Sequence, residues 1–285
     1  MIDSHFHAWR LARADYGWLT PALAPIYRDV DVADWLALAT PHGVRQGILV
    51  QAAPTVAETE YLLTQAARYP AQILGVIGWV DLAAADAGAQ IARLASNPFL
   101  LSLRPMLQDI DDPDWILQAR VLAVLASLPE KGLAFDALIK PIHLPRIDQL
   151  ARRLPDLRII IDHGAKPAIG SPDEQDFALW ADGISALSQH PNVWCKLSGL
   201  FNECVTRPSP AACIPYMNHL FASFAGRLLW GSDWPVLELA GQYGAWLTLC
   251  RDMAARYNAE ENLFGRAALD AYHLHARFLA IQNRA

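Results

Sequence analysis

Four cysteines in 285 residues, none in a Cys-x-x-Cys pair, leave no material for a disulfide framework or a finger-type zinc site. Cys195, Cys204 and Cys213 recur at equal spacing, but nine residues matches no zinc pattern, so all four cysteines read as buried thiols or bystanders. Charge is also sparse. Charged residues make up 18%, the net charge is −6, and no basic cluster is denser than Arg152-Arg153, so a nucleic-acid backbone has little to grip and is excluded as a partner. No apolar run reaches the ~18 residues of a membrane-spanning helix. No basic and apolar leader precedes the strand-like sequence at residue 2, so the expectation is a cytoplasmic protein without a membrane anchor. The Gly-rich turn that would follow the first strand of a dinucleotide-binding sheet is missing too; His-Ala-Trp-Arg stands there. Oligomeric state leaves no readable mark.

What the chain has is apolar sequence, 53% of it, in a regular alternation. Strand-like runs begin at about residue 2 and cover about 46–51, 73–80, 100–104, 133–138, 158–163, 193–198 and 228–232. Helix-like segments separate them. Asp31 caps one to about residue 40, Thr55 with Glu58 opens one to about 69, and an Ala-rich helix covers about 84–95. Asp112-Pro113 opens a helix carrying Ile116, Leu117, Val121 and Leu125, Pro145 begins another, and Ser171-Pro172 begins one to about 189. Pro210 opens the next, and helices at about 241–256 and 266–282 close the chain. Eight βα units with apolar strands predict an α/β fold, a (β/α)8 barrel, as one domain over 1–285. A long irregular segment at about 10–31, rich in Trp, Tyr, Pro and Arg, follows the first strand. It reads either as a substrate loop, with Trp9, Trp18, Tyr27 and Arg28 as contact residues, or as a plug for one end of the fold.

In a barrel of this kind the C-terminal strand ends share one rim, and their polar residues are the candidates for chemistry. Read with period 2, His5 and His7 fall on one face of strand 1, where two imidazoles can hold one ion. Arg104 ends strand 4, Asp162-His163-Gly164 ends strand 6, Lys196 and Ser198 end strand 7, and Ser232-Asp233-Trp234-Pro235 follows strand 8. His163 alternates with Ile159 and Ile161, so all three are expected to point into the barrel. A carboxylate at Asp233, after Leu228, Leu229 and Trp230, is costly to bury unless paired or coordinated. Three histidines and an aspartate are a donor set that zinc or a similar divalent ion accepts, with a position left for water.

These segments carry a resemblance. Asp3-Ser4-His5-Phe6-His7, Asp162-His163-Gly164-Ala165-Lys166-Pro167, Lys196-Leu197-Ser198-Gly199 and Gly231-Ser232-Asp233-Trp234-Pro235 resemble, in the right order over the whole chain, the amidohydrolase superfamily and its lactonase branch. Asp15-Tyr16-Gly17-Trp18 and Arg104-Pro105-Met106-Leu107-Gln108-Asp109 look closest to its sugar-lactone members. The resemblance implies a barrel with His5, His7, His163 and Asp233 as its metal-binding set, Asp233 as general base with His163 beside it, and a small-molecule lactone as substrate. Arg104, Trp9, Trp18, Arg28, Lys166 and Trp234 are the residues expected to touch that substrate. Strand 4 has Arg104 where a carbamylated Lys would bridge two metals, and neither His190 nor His219 offers a further ligand, so one divalent ion, zinc, is expected. The branch also includes members that need no metal, and that alternative stays open. So do a pyrone or muconolactone substrate, a related decarboxylation, and a non-catalytic sugar-acid binding protein.

Overall fold

Successive strand residues face opposite ways, and here that alternation sorts the apolar side chains into two separate cores. A computed structural model describes residues 1–283. Its strands are β1 Ile2–Phe6, β2 Gln46–Val50, β3 Ile73–Gly78, β4 Leu100–Leu103, β5 Ala134–Ala137, β6 Ile159–Ile161, β7 Val193–Leu197 and β8 Leu228–Trp230. All eight fall where the sequence places them, pair in sequence order, and run parallel. The sheet curls until its edges meet: Asp233 N donates to the His5 carbonyl and His7 N to the Trp234 carbonyl, both at 2.8 Å. Helices α1 Val32–Ala39, α2 Val56–Arg68, α3 Ala87–Ala95, α4 Ala119–Ala126, α5 Leu144–Arg153, α6 Glu174–Ser188, α7 Pro210–Ser223 and α8 Tyr243–Arg256 separate and follow the strands, completing a (β/α)8 barrel. Among the described residues no helix is long and apolar enough to cross a membrane.

One core fills the gap between barrel and helices, where Phe6 stacks on Trp35 of α1 with ring centres 4.1 Å apart. The other lies inside the barrel and joins Ile2, Ile48, Val50, Leu74, Leu101, Ile160 and Leu229. Ile159 and Ile161 belong to the outer core, not the inner one, so the inward phase of β6 is that of Ile160 and Asp162. The expected alternation of His163 with its isoleucines is thereby corrected. His163 reaches the mouth by a left-handed turn at φ 52°, not by strand phase.

Three helix expectations change for local reasons. The segment opened by Asp112 breaks at Gln118 into a short turn, Trp115–Leu117, and α4, because the Asp112 carboxylate accepts from the Asp114 amide and the Gln118 side chain instead of letting the helix run on. Helix α6 starts later than Ser171-Pro172 predicts; Asp173 caps it by accepting from Gln175 N at 2.9 Å, while Ser171 Oγ donates to Asp176 at 2.6 Å. The helix at 266–282 is two, α9 Ala267–Ala271 and α10 His275–Gln282. Between them His273 is left-handed at φ 53°, and Tyr272 and Leu274 turn inward to seal the lower end of the inner core.

The long segment after β1 is ordered. Trp9 and Val30 exchange backbone hydrogen bonds at its neck, Leu11 N donates to Asp29 at 2.8 Å, and Trp18 Nε1 donates to the Ala52 carbonyl at 2.7 Å. It lies as a strap across the barrel mouth.

Candidate active site

Strand β1 delivers two imidazoles to the mouth because Phe6, between them, faces outward to Trp35. The closure bonds then fix Asp233 against them. Asp233 Oδ1 lies 3.3 Å from His7 Nε2, 3.6 Å from His5 Nε2 and 4.0 Å from His163 Nε2. Gly199, at φ 66°, permits this packing; a Cβ there would stand 2.6 Å from His163 Nδ1 and 3.1 Å from Asp233 Oδ2. Asp3, beneath the turn after β8, accepts from Ser232 N at 2.8 Å and from Trp35 Nε1 at 3.1 Å, so it positions the turn that carries Asp233. Burial pushes its carboxyl up to about 6 despite those bonds.

The far nitrogen of each imidazole has its own partner. His7 Nδ1 is 2.8 Å from the Val50 carbonyl, which can only accept, so Nδ1 donates there and Nε2 faces Asp233 Oδ1 at 3.3 Å. His163 Nδ1 bonds Ser198 Oγ at 2.9 Å. His5 Nδ1 faces Lys196 Nζ at 3.3 Å and Asp162 Oδ1 at 3.5 Å, themselves 2.9 Å apart, and among the described residues its buried Nε2 has no hydrogen-bond partner. Burial lowers His163 to about 4, against the pull of Asp233 and Asp162, and holds His5 well below its ordinary value. Burial works to raise Asp233, but His163, His7 and His5 outweigh it and keep the carboxyl below the usual range. Imidazoles kept neutral by burial, as His5 and His163 are, beside a carboxylate are electron-pair donors in want of a cation.

That want is a test of fit. Ligand atoms about 2.1 Å from a common centre stand about 3.4 Å apart in a tetrahedron, close to the separations found around Asp233 Oδ1. Among the described residues the donors form two overlapping triads, His5, His7, Asp233 and His5, Asp162, His163, with ligand atoms within 4.8 Å of one another in each. The orphaned His5 Nε2 is common to both reasons for placing an ion here. The site fits a divalent metal.

Below this layer lies a set of buried charges. Arg104 donates to Asp162 Oδ2 at 3.0 Å and to Gln51 Oε1 at 2.7 Å, and also to the Gln51 carbonyl. Lys196 Nζ, one of four lysines in the sequence, pairs with Asp136 at 2.6 Å and Asp162 at 2.9 Å. Burial works to raise Asp162, but Lys196, His5 and Arg104 hold it well below the carboxylate range. The sequence places Asp162 at the rim without a role for it and does not single out Gln51 or Asp136. The signal for Asp136 was present, a lone carboxylate inside the apolar run of β5, in phase with inward Ala134.

A cavity of about 290 Å³ opens over Asp233, His7 and His163. Arg104, Trp18 and Lys166 line it, together with an apolar wall of Leu23, Leu138, Val236 and Leu239. Lys166 Nζ is held by Glu203 at 2.6 Å. Trp9, Arg28 and Trp234 do not line it. Trp9 is buried and donates to the Arg28 carbonyl at 2.8 Å, while Trp234 Nε1 donates to Glu238 at 2.7 Å and Arg28 pairs with that same Glu238 at 3.2 Å. These three brace the strap against the segment after β8. A larger groove of about 680 Å³, near Met1, Arg251 and Phe278, lies at the other end of the barrel and contains none of these groups.

Barrel, strand-end histidines and carboxylate together define a hydrolase of the metal-site barrel class. The chain belongs to the amidohydrolase family, whose pattern matches residues 2–274. An L-fucono-1,5-lactonase from Burkholderia ambifaria is 42% identical over 280 residues, covering 96% of this chain and 95% of that one. A second L-fucono-1,5-lactonase, from Burkholderia multivorans, is 32% identical with 96% of each chain covered. The crystal structure of a Burkholderia multivorans amidohydrolase with bound zinc superposes with a TM-score of 0.89 at 29% identity, covering 95% of this chain and 98% of that one.

Proposed function

We propose that this protein hydrolyses the lactone of a sugar acid, L-fucono-1,5-lactone or a close relative, with one zinc ion held by His5, His7, His163 and Asp233. The convergence of three imidazole Nε2 atoms on Asp233 Oδ1, at the floor of the cavity, carries the reading. Relatives named as lactonases and a zinc-bound structural neighbour support it. Bound there, the ion supplies Lewis acidity that polarises the ring carbonyl and acidifies a water.

The chain's residues do the rest. Asp233, held ionised, takes a proton from the attacking water as its oxygen bonds to the carbonyl carbon. The tetrahedral adduct collapses by breaking the bond from that carbon to the ring oxygen, and Asp233 returns the proton to the leaving oxygen, giving an open hydroxy acid. His163 neighbours the reacting atoms as a neutral donor, and Trp18 with the apolar wall excludes water and holds the ring. Both cations at the cavity have carboxylate partners, Lys166 with Glu203 and Arg104 with Asp162. An uncharged polyhydroxy ring therefore suits it better than a dicarboxylate. A cytoplasmic site of action is part of this reading.

A pH-indicator panel tests it. Sugar-acid lactones should exceed a pyrone dicarboxylate and a muconolactone by at least about tenfold in kcat/KM, a difference of about 1.4 kcal/mol. A preference for the pyrone, release of carbon dioxide without water uptake, or tight binding with no turnover would each overturn the assignment.

A further inference from the structure

Tyr272 belongs to none of the eight βα units, yet its hydroxyl ends inside the barrel. It comes from the break between α9 and α10 and donates to Asp136 Oδ1 at 2.8 Å. The same oxygen accepts from Lys196 Nζ at 2.6 Å, and Lys196 in turn stands 3.3 Å from His5 Nδ1. Tyr272, Asp136, Lys196 and His5 thus form an unbroken chain from the sealed lower end of the barrel to a donor of the active site, all of it buried.

Buried ions cost several kcal/mol each unless matched. Here the formal charges match: Arg104 and Lys196 stand against Asp136 and Asp162. What the arrangement does for chemistry is decided at His5 Nδ1, which faces a donor, Lys196 Nζ at 3.3 Å, and an acceptor, Asp162 Oδ1 at 3.5 Å, the two paired with each other at 2.9 Å. With the proton on Nδ1 directed to Asp162, the unpartnered Nε2 offers its lone pair towards Asp233; with Nδ1 accepting from Lys196, Nε2 carries the proton and cannot be a ligand. The outcome depends on how firmly the protons of Lys196 are engaged elsewhere. Asp136 engages one of them, and its Oδ1 is held in turn by Tyr272 and Lys196, with the Ser102 hydroxyl also beside the carboxylate.

We propose that Tyr272 and Asp136 are positioning residues for His5: they engage the Lys196 ammonium, leave Asp162 to accept the Nδ1 proton, and so present His5 Nε2 as a bare donor to the site. This rests on the reading of His5 as a ligand of the proposed zinc.

The test uses the full chain with Tyr272→Phe and Asp136→Asn, measuring zinc affinity by chelator competition, kcat and KM on the lactone the parent turns over, and Tm. Tyr272→Phe should weaken zinc about tenfold, as loss of an outer partner of a metal-binding histidine does. It should lower kcat by a similar factor and leave KM within twofold, and Asp136→Asn should exceed it in both effects. A fall in Tm with zinc affinity and kcat within twofold of the parent would show a merely structural tyrosine and overturn the proposal. If Asp136→Asn does not fold, Tyr272→Phe decides alone, since it removes a single oxygen from a packed ring. A parent that binds zinc but opens no lactone refutes the assigned reaction and leaves the zinc measurement to decide on Tyr272; a parent that binds no zinc overturns the positioning role itself.

Discussion

His163 and Asp233 face each other across the barrel mouth, Nε2 to Oδ1 at 4.0 Å, and both hold left-handed backbone, at φ 52° and φ 58°. Non-glycine residues in that region cost about 1–3 kcal/mol each, and such strain gathers at functional sites. Here it turns two side chains inward that strand phase alone would not aim.

Asparagine tolerates left-handed backbone well and matches aspartate in shape. Asp233→Asn should therefore fold with a Tm within a few degrees of the parent while kcat falls by roughly 10³-fold, the scale of losing a general base. Turnover close to the parent's in that variant would remove Asp233 from the reaction.

The pH profile follows from burial of the imidazoles. His163 is held at about 4 and stays neutral above it, and Asp233 stays ionised because its carboxyl lies below the usual range. His163 is thus available as a donor from pH 5 to 7 and is lost as one as pH falls through about 4, where it takes up a proton. A plot of log kcat/KM should be flat over that span and fall on the acid side; a descending limb centred near an ordinary histidine value would contradict this.

Trp18 joins strap to cavity, with its indole N–H on the Ala52 carbonyl and its ring against Trp9, centres 5.7 Å apart. Replacing it with alanine should raise KM about tenfold, in keeping with loss of about 1.4 kcal/mol of ring packing, and change kcat less. An unchanged KM would place the substrate elsewhere in the cavity.

Glu203 silences Lys166, 2.6 Å away, so Glu203→Gln should leave a free cation at the cavity wall. Hydrolysis of an anionic lactone should then improve several-fold in KM relative to a neutral one, and the gain should shrink with added salt. Equal KM ratios in parent and variant would show that Lys166 does not reach the ring.

How far the sequence discloses all this depends on the kind of force involved. The eight strands show plainly, because nearly all their residues are buried and most of the runs are apolar, broken by a few inward polar positions such as Asp136 and Lys196. His5 and His7 are legible because period 2 holds between neighbours on one strand. His163 is not placed by the same logic: its turn follows from backbone dihedrals that Ile159 and Ile161 do not announce. Trp9, Arg28 and Trp234 carry the composition of a binding loop, yet Glu238 and the neck of the strap claim them, and such long-range claims leave no local pattern. Tyr272 looks like part of one helix at 266–282, and only the cavity it has to fill explains why that helix breaks.

The closure of β1 onto the end of β8 also has a temporal side. His7 and Asp233 are 226 positions apart in the chain, so a ribosome releases the two histidines long before their carboxylate exists. Loop closure over such a span is paid before any contact rewards it, which makes non-local assembly slow. During synthesis β1 waits as an open edge, and its imidazoles can meet free metal only as an incomplete pair. The proposed donor set is complete only once Asp233, which follows β8, joins it.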